Sequence, residues 1–439
     1  MACETAVTDD MFIGHPTGDD VIRDEEAPRL KGSWVNLLVV GDLKVRATVR
    51  EGLSMDNCSM PAGVRCWVGL DVHARTIVAR GVDADGVARN RTFRGADCSA
   101  QVVEWALGLP RPAYVAYESG CTGFDLCVSL RGAGVACDVI AVSTLPRSQR
   151  DEAAKNDDRD ARLILHEITS QTRKHSCVWV PPADVEGARD LARARLDAKR
   201  QLLAAQQQAS AFLLRHGHVF DERTATGRQK RAWGADWLRW AGSRRTGDPA
   251  SDLALRLLLS RVETLAEVER GIARACAELA ATERWKPYVD ALALLKGIDA
   301  RTALLVAAEF GDFSRFGRGR AVSRWLGSIP KERTSDGRGS KGHITKEGNS
   351  GLRRALVESA SPVSRWSDSP KARPKGNAAS DECARIARKA ARRLKGTYER
   401  LTQAGKPANV AKMAVASELA RWCWAVGRQV DAELARAGA

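Results

Sequence analysis

At 439 residues, with 69 Lys and Arg against 54 Asp and Glu for a formal net charge of +15, the chain has room for two or three domains with substantial cores. Its basic balance favours a polyanionic partner, nucleic acid first. No run of about eighteen apolar residues occurs and the acidic N-terminus lacks the layout of a signal peptide, so a helical membrane protein is excluded and a soluble, cytoplasmic one expected. The 11 cysteines show no CxxC and no Cys/His ligand spacing, and they read as reduced thiols rather than a disulfide framework or zinc site.

Residues 1–63 are acidic and poorly patterned apart from an apolar patch at Val35–Val40. Met60 stands just before the first well-patterned segment, so a disordered leader and a start codon placed too far upstream are both open readings. Residues 64–175 alternate strand and helix signals. Strands are predicted at Trp67–Asp71, Thr76–Val82 and, beyond the turn Asp83-Ala84-Asp85-Gly86, at Asn90–Phe93. A helix follows at Ser99–Leu107, then the strand Ala113–Glu118, and then a helix at Thr122–Arg131 closed by Gly132 and Gly134. A strand at Asp138–Val142 and a helix at Asp157–Thr169 complete the region. A three-strand meander followed by α-β-α-β-α is the element order of a ribonuclease H-like fold. In that fold acids on the first and fourth strands converge with acids on the last helix.

Four acids occupy those places. Asp71 ends the apolar run Cys66-Trp67-Val68-Gly69-Leu70-Asp71, and Glu118 ends Ala113-Tyr114-Val115-Ala116-Tyr117-Glu118. Asp157 and Asp160, three apart at the start of a helical pattern, project from one helix face. Hard cations such as Mg²⁺ or Mn²⁺ take oxygen ligands from a few carboxylates plus substrate phosphates. Two such ions clamp the attacking and leaving oxygens of an in-line displacement. Surface carboxylates are common, so it is the combination of two strand ends with a helix pair that singles these four out.

Residues 185–285 are helical in pattern and rich in Arg, Gln and Ala, with a polar break holding Trp233, Trp237 and Trp240 before a second long helix at Asp252–Thr282. The pair suggests an antiparallel or intermolecular coiled coil, with a plain helical packing domain equally open. Residues 290–439 form a mainly helical region. Lys296-Gly297-Ile298-Asp299, followed by Thr302–Glu309, resembles a helix-hairpin-helix, whose Gly turn lets backbone amides approach a phosphate. After Gly327-Ser328-Ile329-Pro330 comes a polar stretch to Gly342 expected as an irregular loop, holding Thr334, Ser335, Asp336, Gly337, Arg338 and Lys341, with His343 and Lys346 beyond. Arg385, Arg388, Lys389, Arg392 and Arg393 fall on one helix face suited to phosphate neutralisation.

These residues bear a collinear resemblance to a known family. Gly69-Leu70-Asp71-Val72-His73, Tyr117-Glu118-Ser119-Gly120 and Lys155-Asn156-Asp157-Asp158-Arg159-Asp160-Ala161 come first. Leu295-Lys296-Gly297-Ile298, Gly327-Ser328-Ile329-Pro330, Ser335, Ile344-Thr345-Lys346-Glu347-Gly348-Asn349 and Leu352-Arg353-Arg354-Ala355-Leu356 follow. The ordered set, spanning roughly residues 64 to 430, resembles the IS-one-ten family of DEDD-type insertion-sequence transposases. The resemblance implies a RuvC-like N-terminal domain, a helical middle and a C-terminal transposase domain. It implies Asp71, Glu118, Asp157 and Asp160 as the metal-binding catalytic acids and Ser335 as a serine nucleophile forming a phosphoserine link to DNA. Arg338, Lys341, Lys346, Arg353 and Arg354 are then nucleic-acid contacts along with the basic helix face. A structured guide RNA encoded beside the gene and a dimer or tetramer are further implications. Two positions depart from the family pattern, Asn156 where Thr is usual and Asp336 where Gly follows the serine; Asp336 sets an acid beside the proposed nucleophile. A water-using junction-resolving nuclease and an inactive nucleic-acid-binding relic are the alternative readings.

Overall fold

The computed structural model describes residues 58–145, 157–170, 175–335, 338–367 and 369–438, and the side chains of 332–341 are outside the described part. The expectations for the leader up to residue 57, for Lys155 and Asn156, and for Asp336 and Gly337 therefore lie outside the described residues.

The N-terminal half is a mixed α/β unit. Strands β1 (Cys66–Val72), β2 (Thr76–Asp83) and β3 (Arg91–Arg94) form an antiparallel meander. Helix α1 (Cys98–Leu107) leads to β4 (Ala113–Glu118), parallel to β1. Helix α2 (Asp125–Gly132) leads to β5 (Ala136–Ile140), parallel to β4. A short β6 (Cys177–Val178) closes the edge against β5, giving the order β3-β2-β1-β4-β5-β6.

Side-chain alternation along the strands decides the two faces of this sheet. Cys66, Val68 and Leu70 of β1 and Ala113, Val115 and Tyr117 of β4 share a core with Val102 and Ala106 of α1 and Leu126 and Leu130 of α2. Tyr114 and Ala116 turn the other way and pack with Ile164 and Ile168 of α3 (Asp157–Thr169). Trp67, Gly69 and Asp71 belong to this second face by the same alternation. Helix α3 comes very close there: a Cβ at Gly69 would lie 2.4 Å from the Ala161 carbonyl oxygen and 2.5 Å from the Leu165 amide nitrogen.

Several expectations are corrected. Helix α2 starts at Asp125 rather than Thr122, because Gly123 takes a left-handed φ of +69° just before it. The strand expected at Asp138–Val142 lies two residues earlier, since Val142–Thr144 tightens into a 3₁₀ turn. The reading of the cysteines as unpaired thiols fails for one pair: Cys58 and Cys177, 119 residues apart, are joined by a disulfide with a Cα–Cα distance of 5.1 Å. No local spacing reveals such a pairing.

The helical middle is an antiparallel hairpin within the chain. Helices α4 (Ala183–Arg215) and α6 (Pro249–Ala280) run in opposite senses, since Arg195 meets Glu269 (3.4 Å) while Gln208, further along α4, accepts from Arg261 (3.0 Å). Helix α5 (Ala235–Gly242) and its tryptophans fill the tip, where Trp233, Trp237 and Trp240 pack on one another. The start of α4 enters a larger core built by α7 (Lys286–Leu292), α8 (Ala300–Phe310), α9 (Gly319–Trp325), α10 (Ser350–Ala360), α11 (Asp381–Gln403) and α12 (Ala408–Ala437). Helix α8 is buried from Ala303 to Phe310, apolar there except at Glu309. Its buried Glu309 is held bidentately by Arg193 (2.8 and 2.9 Å), which locks α4 onto α8.

The β1–α3 approach yields a test. Gly69→Ala inserts a methyl between two backbones and should cost about 1–3 kcal/mol, read as a lower urea midpoint at unchanged slope. Ala at Gly132, which meets nothing within 4 Å, should leave that midpoint nearly unchanged.

Candidate functional site

Strand pairing brings two of the expected acids side by side. Leu70 stands opposite Tyr117 in the parallel β1–β4 ladder, so Asp71 and Glu118, one residue further on, leave the same end of adjacent strands. Both are half-buried and both belong, by alternation, to the face that α3 covers. Asp157 and Asp160 lie in the first turn of α3, where the helix dipole favours carboxylates. Asp158, between them, points elsewhere: it pairs with Arg80 of β2 and with Arg162 Nε (2.7 Å), anchoring the start of α3 to the sheet.

His73 completes the group and was not singled out as a site residue from the sequence. Its Nε2 lies 3.1 Å from Asp71 Oδ2 and 3.8 Å from Asp157 Oδ1, and one ligand atom from each of Asp71, His73 and Asp157 falls within 4.8 Å of the others. The signal was available: two residues on from Asp71 in extended chain, His73 returns to the same side. Burial lifts the Asp71 carboxyl above the ordinary carboxylate range; His73 opposes this, and the charges of Asp157 and Asp160 add to it. Two carboxylates and an imidazole within reach of one another, one carboxylate disfavoured in its charged form, are a donor set that a divalent cation fits. Glu118 and Asp160 flank that trio rather than falling inside it.

Ser335 is the last residue of β7 (Pro330–Ser335), which pairs antiparallel with β8 (Arg338–Ile344), Ser335 opposite Arg338. The irregular loop expected here is thus a two-stranded ribbon. The clue was Asp336-Gly337 between the strands, a dipeptide that favours two-residue hairpin turns; the absence of apolar alternation hid it. The register also places His343 far from Ser335. Pro330 pairs with Ile344, so His343 sits at the base of the ribbon and Ser335 at its tip. Five residues of strand, about 16 Å, separate His343 from the position facing Ser335.

The basic residues divide into two groups. Arg353 is used internally, donating to the Leu326 carbonyl (2.8 Å) and the Glu347 carbonyl (3.2 Å). Arg393 pairs with Glu418 of α12, Arg385 with Glu382, and Arg354 with Glu358 (3.0 Å). Arg388, Lys389 and Arg392 stand on the exposed side of α11, opposite the buried Cys383, Ala387, Ala390 and Leu394, and Lys346 is exposed at a φ of +60°. The side chains of Arg338 and Lys341 are outside the described part. The segment expected as a helix-hairpin-helix is the turn between α7 and α8. Above Gly297 (φ +83°) the Ser359 carbonyl would lie 2.2 Å from a Cβ, and the Asp299 carboxylate already caps α8 through the Thr302 amide (2.8 Å). This glycine lets the Ser359 backbone approach, and one amide of the first turn of α8 is taken by Asp299.

Clustered acids at the ends of interior strands of an α/β sheet, followed in the chain by a helical half with a basic helix face, are the features that phosphate-handling chemistry on nucleic acids would call for. Residues 289–375, from α7 through α10, match the family model described as Transposase IS116/IS110/IS902 family. The chain is 34% identical over 322 residues to a Sinorhizobium fredii protein that carries the name transposase y4qE, covering 72% of this chain and 75% of that one. It is 27% identical to a protein of Pseudomonas aeruginosa named as a family 20 transposase (82% and 96% covered), and 25% identical to the transposase for insertion sequence element IS1533 of Leptospira borgpetersenii (59% and 73%). The chain belongs to the IS116/IS110/IS902 family of transposases. No helix among the described residues is long and apolar enough to cross a membrane.

The electrostatics of Asp71 predict opposite effects on stability and cation binding. Its folded value lies above the unfolded one, so the folded chain holds the extra proton and stability falls as pH rises through the folded value. Asp71→Asn should therefore raise the melting temperature of the metal-free protein at neutral pH. A divalent cation at about a hundredfold excess over its Kd should add about 2.7 kcal/mol to the unsubstituted protein and much less to the variant. Differential scanning calorimetry with and without the cation reads both effects.

Proposed function

We propose that this chain cuts the DNA at the ends of an insertion sequence and rejoins it to a new partner through a covalent link to Ser335, with Asp71, Glu118, Asp157 and Asp160 as its catalytic acids. The observation that carries the reading is the convergence of Asp71, His73 and Asp157 where the interior strand β1 ends beneath α3. The strand order β3-β2-β1-β4-β5 with α3 across β1 supports describing the N-terminal half as ribonuclease H-like, of the RuvC kind. Those residues would hold Mg²⁺ or Mn²⁺, with His73 beside them. The cation, when bound, neutralises phosphate charge and lowers an oxygen's pKa.

The Ser335 oxygen forms a new P–O bond as the bond to the leaving nucleoside oxygen breaks; the serine proton leaves to a base and the departing oxygen takes one up. One ester bond replaces another, so the reverse attack by a second DNA end needs no ATP. Arg388, Lys389 and Arg392 neutralise backbone phosphates, and Lys346, Arg338 and Lys341 do so near the ribbon. A structured RNA encoded beside the gene selects donor and target by pairing. Acids and serine lie in different parts of the chain, and the working site is assembled in an oligomer. Its contacts include the helical hairpin, where Leu253 and Leu257, one turn apart on α6, are 49% and 63% exposed.

One observation favours a second reading. His343 sits at the far end of the ribbon from Ser335, so no histidine of the ribbon stands beside the serine to take its proton. In that reading the acids activate water and the protein is a junction-resolving nuclease. The test is to co-express the full chain with its gene's non-coding flanks, incubate it with labelled element-end DNA and Mg²⁺, and run a denaturing gel. A protein–DNA adduct is expected, lost in Ser335→Ala and reduced at least about a thousandfold in rate by Asp71→Ala, the factor that several kcal/mol of transition-state stabilisation implies. Cleavage without adduct, unchanged by Ser335→Ala, would establish the nuclease instead.

A further inference from the structure

The sheet edge opposite the meander holds a second donor cluster that DNA chemistry does not use. Cys58, His175 and Cys177 each place one ligand atom within 4.8 Å of the others, and His175 and Cys177 are buried. Cys177 is in β6, paired through Ile140 to β5, and His175 lies two residues earlier in the chain. Cys58 is held from the other direction. Its neighbour Ser59 gives its amide (2.5 Å) and its hydroxyl (2.7 Å) to the buried Asp138, which also accepts from Tyr114 (2.8 Å) and Arg131 (2.7 Å). The three donors are therefore pre-positioned by the sheet.

The two sulfurs are joined as a disulfide in this structure, yet a disulfide needs no imidazole beside it. His175 is almost wholly buried and its Nδ1 lies 3.9 Å from the carboxylate of Glu167, also buried, near the C-terminal end of α3. Burying an imidazole and a carboxylate is costly unless they are paired, and these two face each other. A carboxylate behind a histidine is the usual support of a metal-bound imidazole, fixing the tautomer and ring orientation. Two thiolates and an imidazole are the donors that select zinc over the hard cations suited to the Asp71 cluster.

We propose that Cys58, His175 and Cys177 form a zinc site when the pair is reduced, with Glu167 as the positioning residue behind His175. Two thiol equivalents reduce the disulfide to two thiols and become one disulfide themselves; zinc binding then releases the two thiol protons. The three protein donors leave one tetrahedral position to solvent. The site would tie the segment ahead of β1 to the edge strand β6 and, through Glu167, to the helix that carries Asp157 and Asp160.

The full chain, reduced and freed of metal, is titrated with Co²⁺ as a spectroscopic probe and with Zn²⁺ as competitor. We expect one equivalent of Co²⁺ with thiolate-to-cobalt charge-transfer absorption, displaced by Zn²⁺ and abolished in Cys177→Ser. Glu167→Gln should keep the absorption but weaken binding by about 10–100-fold, a readout that holds if the cysteine variant fails to fold. Asp71→Asn should leave the absorption intact, which separates this site from the acidic cluster. Absence of the thiolate band, its survival in Cys177→Ser, or a thiol titration that gains no two groups on reduction would overturn the proposal.

Discussion

Helix α3 meets the sheet where β1 has no side chain, and that contact sets the position of the acids. At Gly69 the two backbones are separated by less than a methyl group would need. The helix is pressed there by Ile164 and Ile168 packing on Tyr114, Ala116 and Ile140, each fully buried. At about 1.5–3 kcal/mol per buried large apolar side chain, a few such residues suffice to hold one helix at one depth. Asp157 and Asp160 stand at the near end of that helix and Asp71 lies two residues beyond Gly69 on the same face, so their separation follows from the packing. A bulkier residue at position 69 would disturb the acids without touching any of them.

Such proximity has an electrostatic cost, visible in the upward displacement of the Asp71 carboxyl by burial and by its neighbours. Parts of the fold offset it. The N-terminus of α3 offers its dipole to Asp157 and Asp160. Asp158 is drawn aside by Arg80 and Arg162, which keeps a further charge out of the cluster and fastens the helix start to β2. His73 lies against Asp71 and Asp157. What these do not neutralise is the part a bound cation would relieve, so cation affinity and metal-free instability have one origin.

Where the chain alternates apolar residues, the sequence was a good guide: β1, β2, β4 and α3 lie within a residue or two of where periodicity puts them. The four acids stood out because two close patterned strands and two open a patterned helix. The rest was hidden for identifiable reasons. Strand β6 has two residues, too few for any period, yet it brings Cys177 to Cys58 across 119 residues. The β7–β8 ribbon is polar on both faces, so backbone pairing alone defines it and hydrophobic patterning is silent. At Gly297 the close approach of Ser359 asks for a glycine, a demand that one sequence does not separate from that of a ligand.

The basic helix face shows the same limit in charge. Spacing puts Arg385, Arg388, Lys389, Arg392 and Arg393 on one side of α11, and the structure leaves all five exposed. Their partners make them unequal. Glu382, opposite Arg385, is itself in water, and an exposed pair of that kind is worth about 0–1 kcal/mol, so a phosphate can take the guanidinium at little cost. Glu418, opposite Arg393, is only 9% exposed and also accepts from Thr397 (2.9 Å). Drawing Arg393 away would strand a largely buried carboxylate, for which removal of a partner costs several kcal/mol. Arg393 therefore holds α11 to α12, and Arg388, Lys389 and Arg392, with Arg385 as an exchangeable fourth, are what α11 has to offer a polyanion.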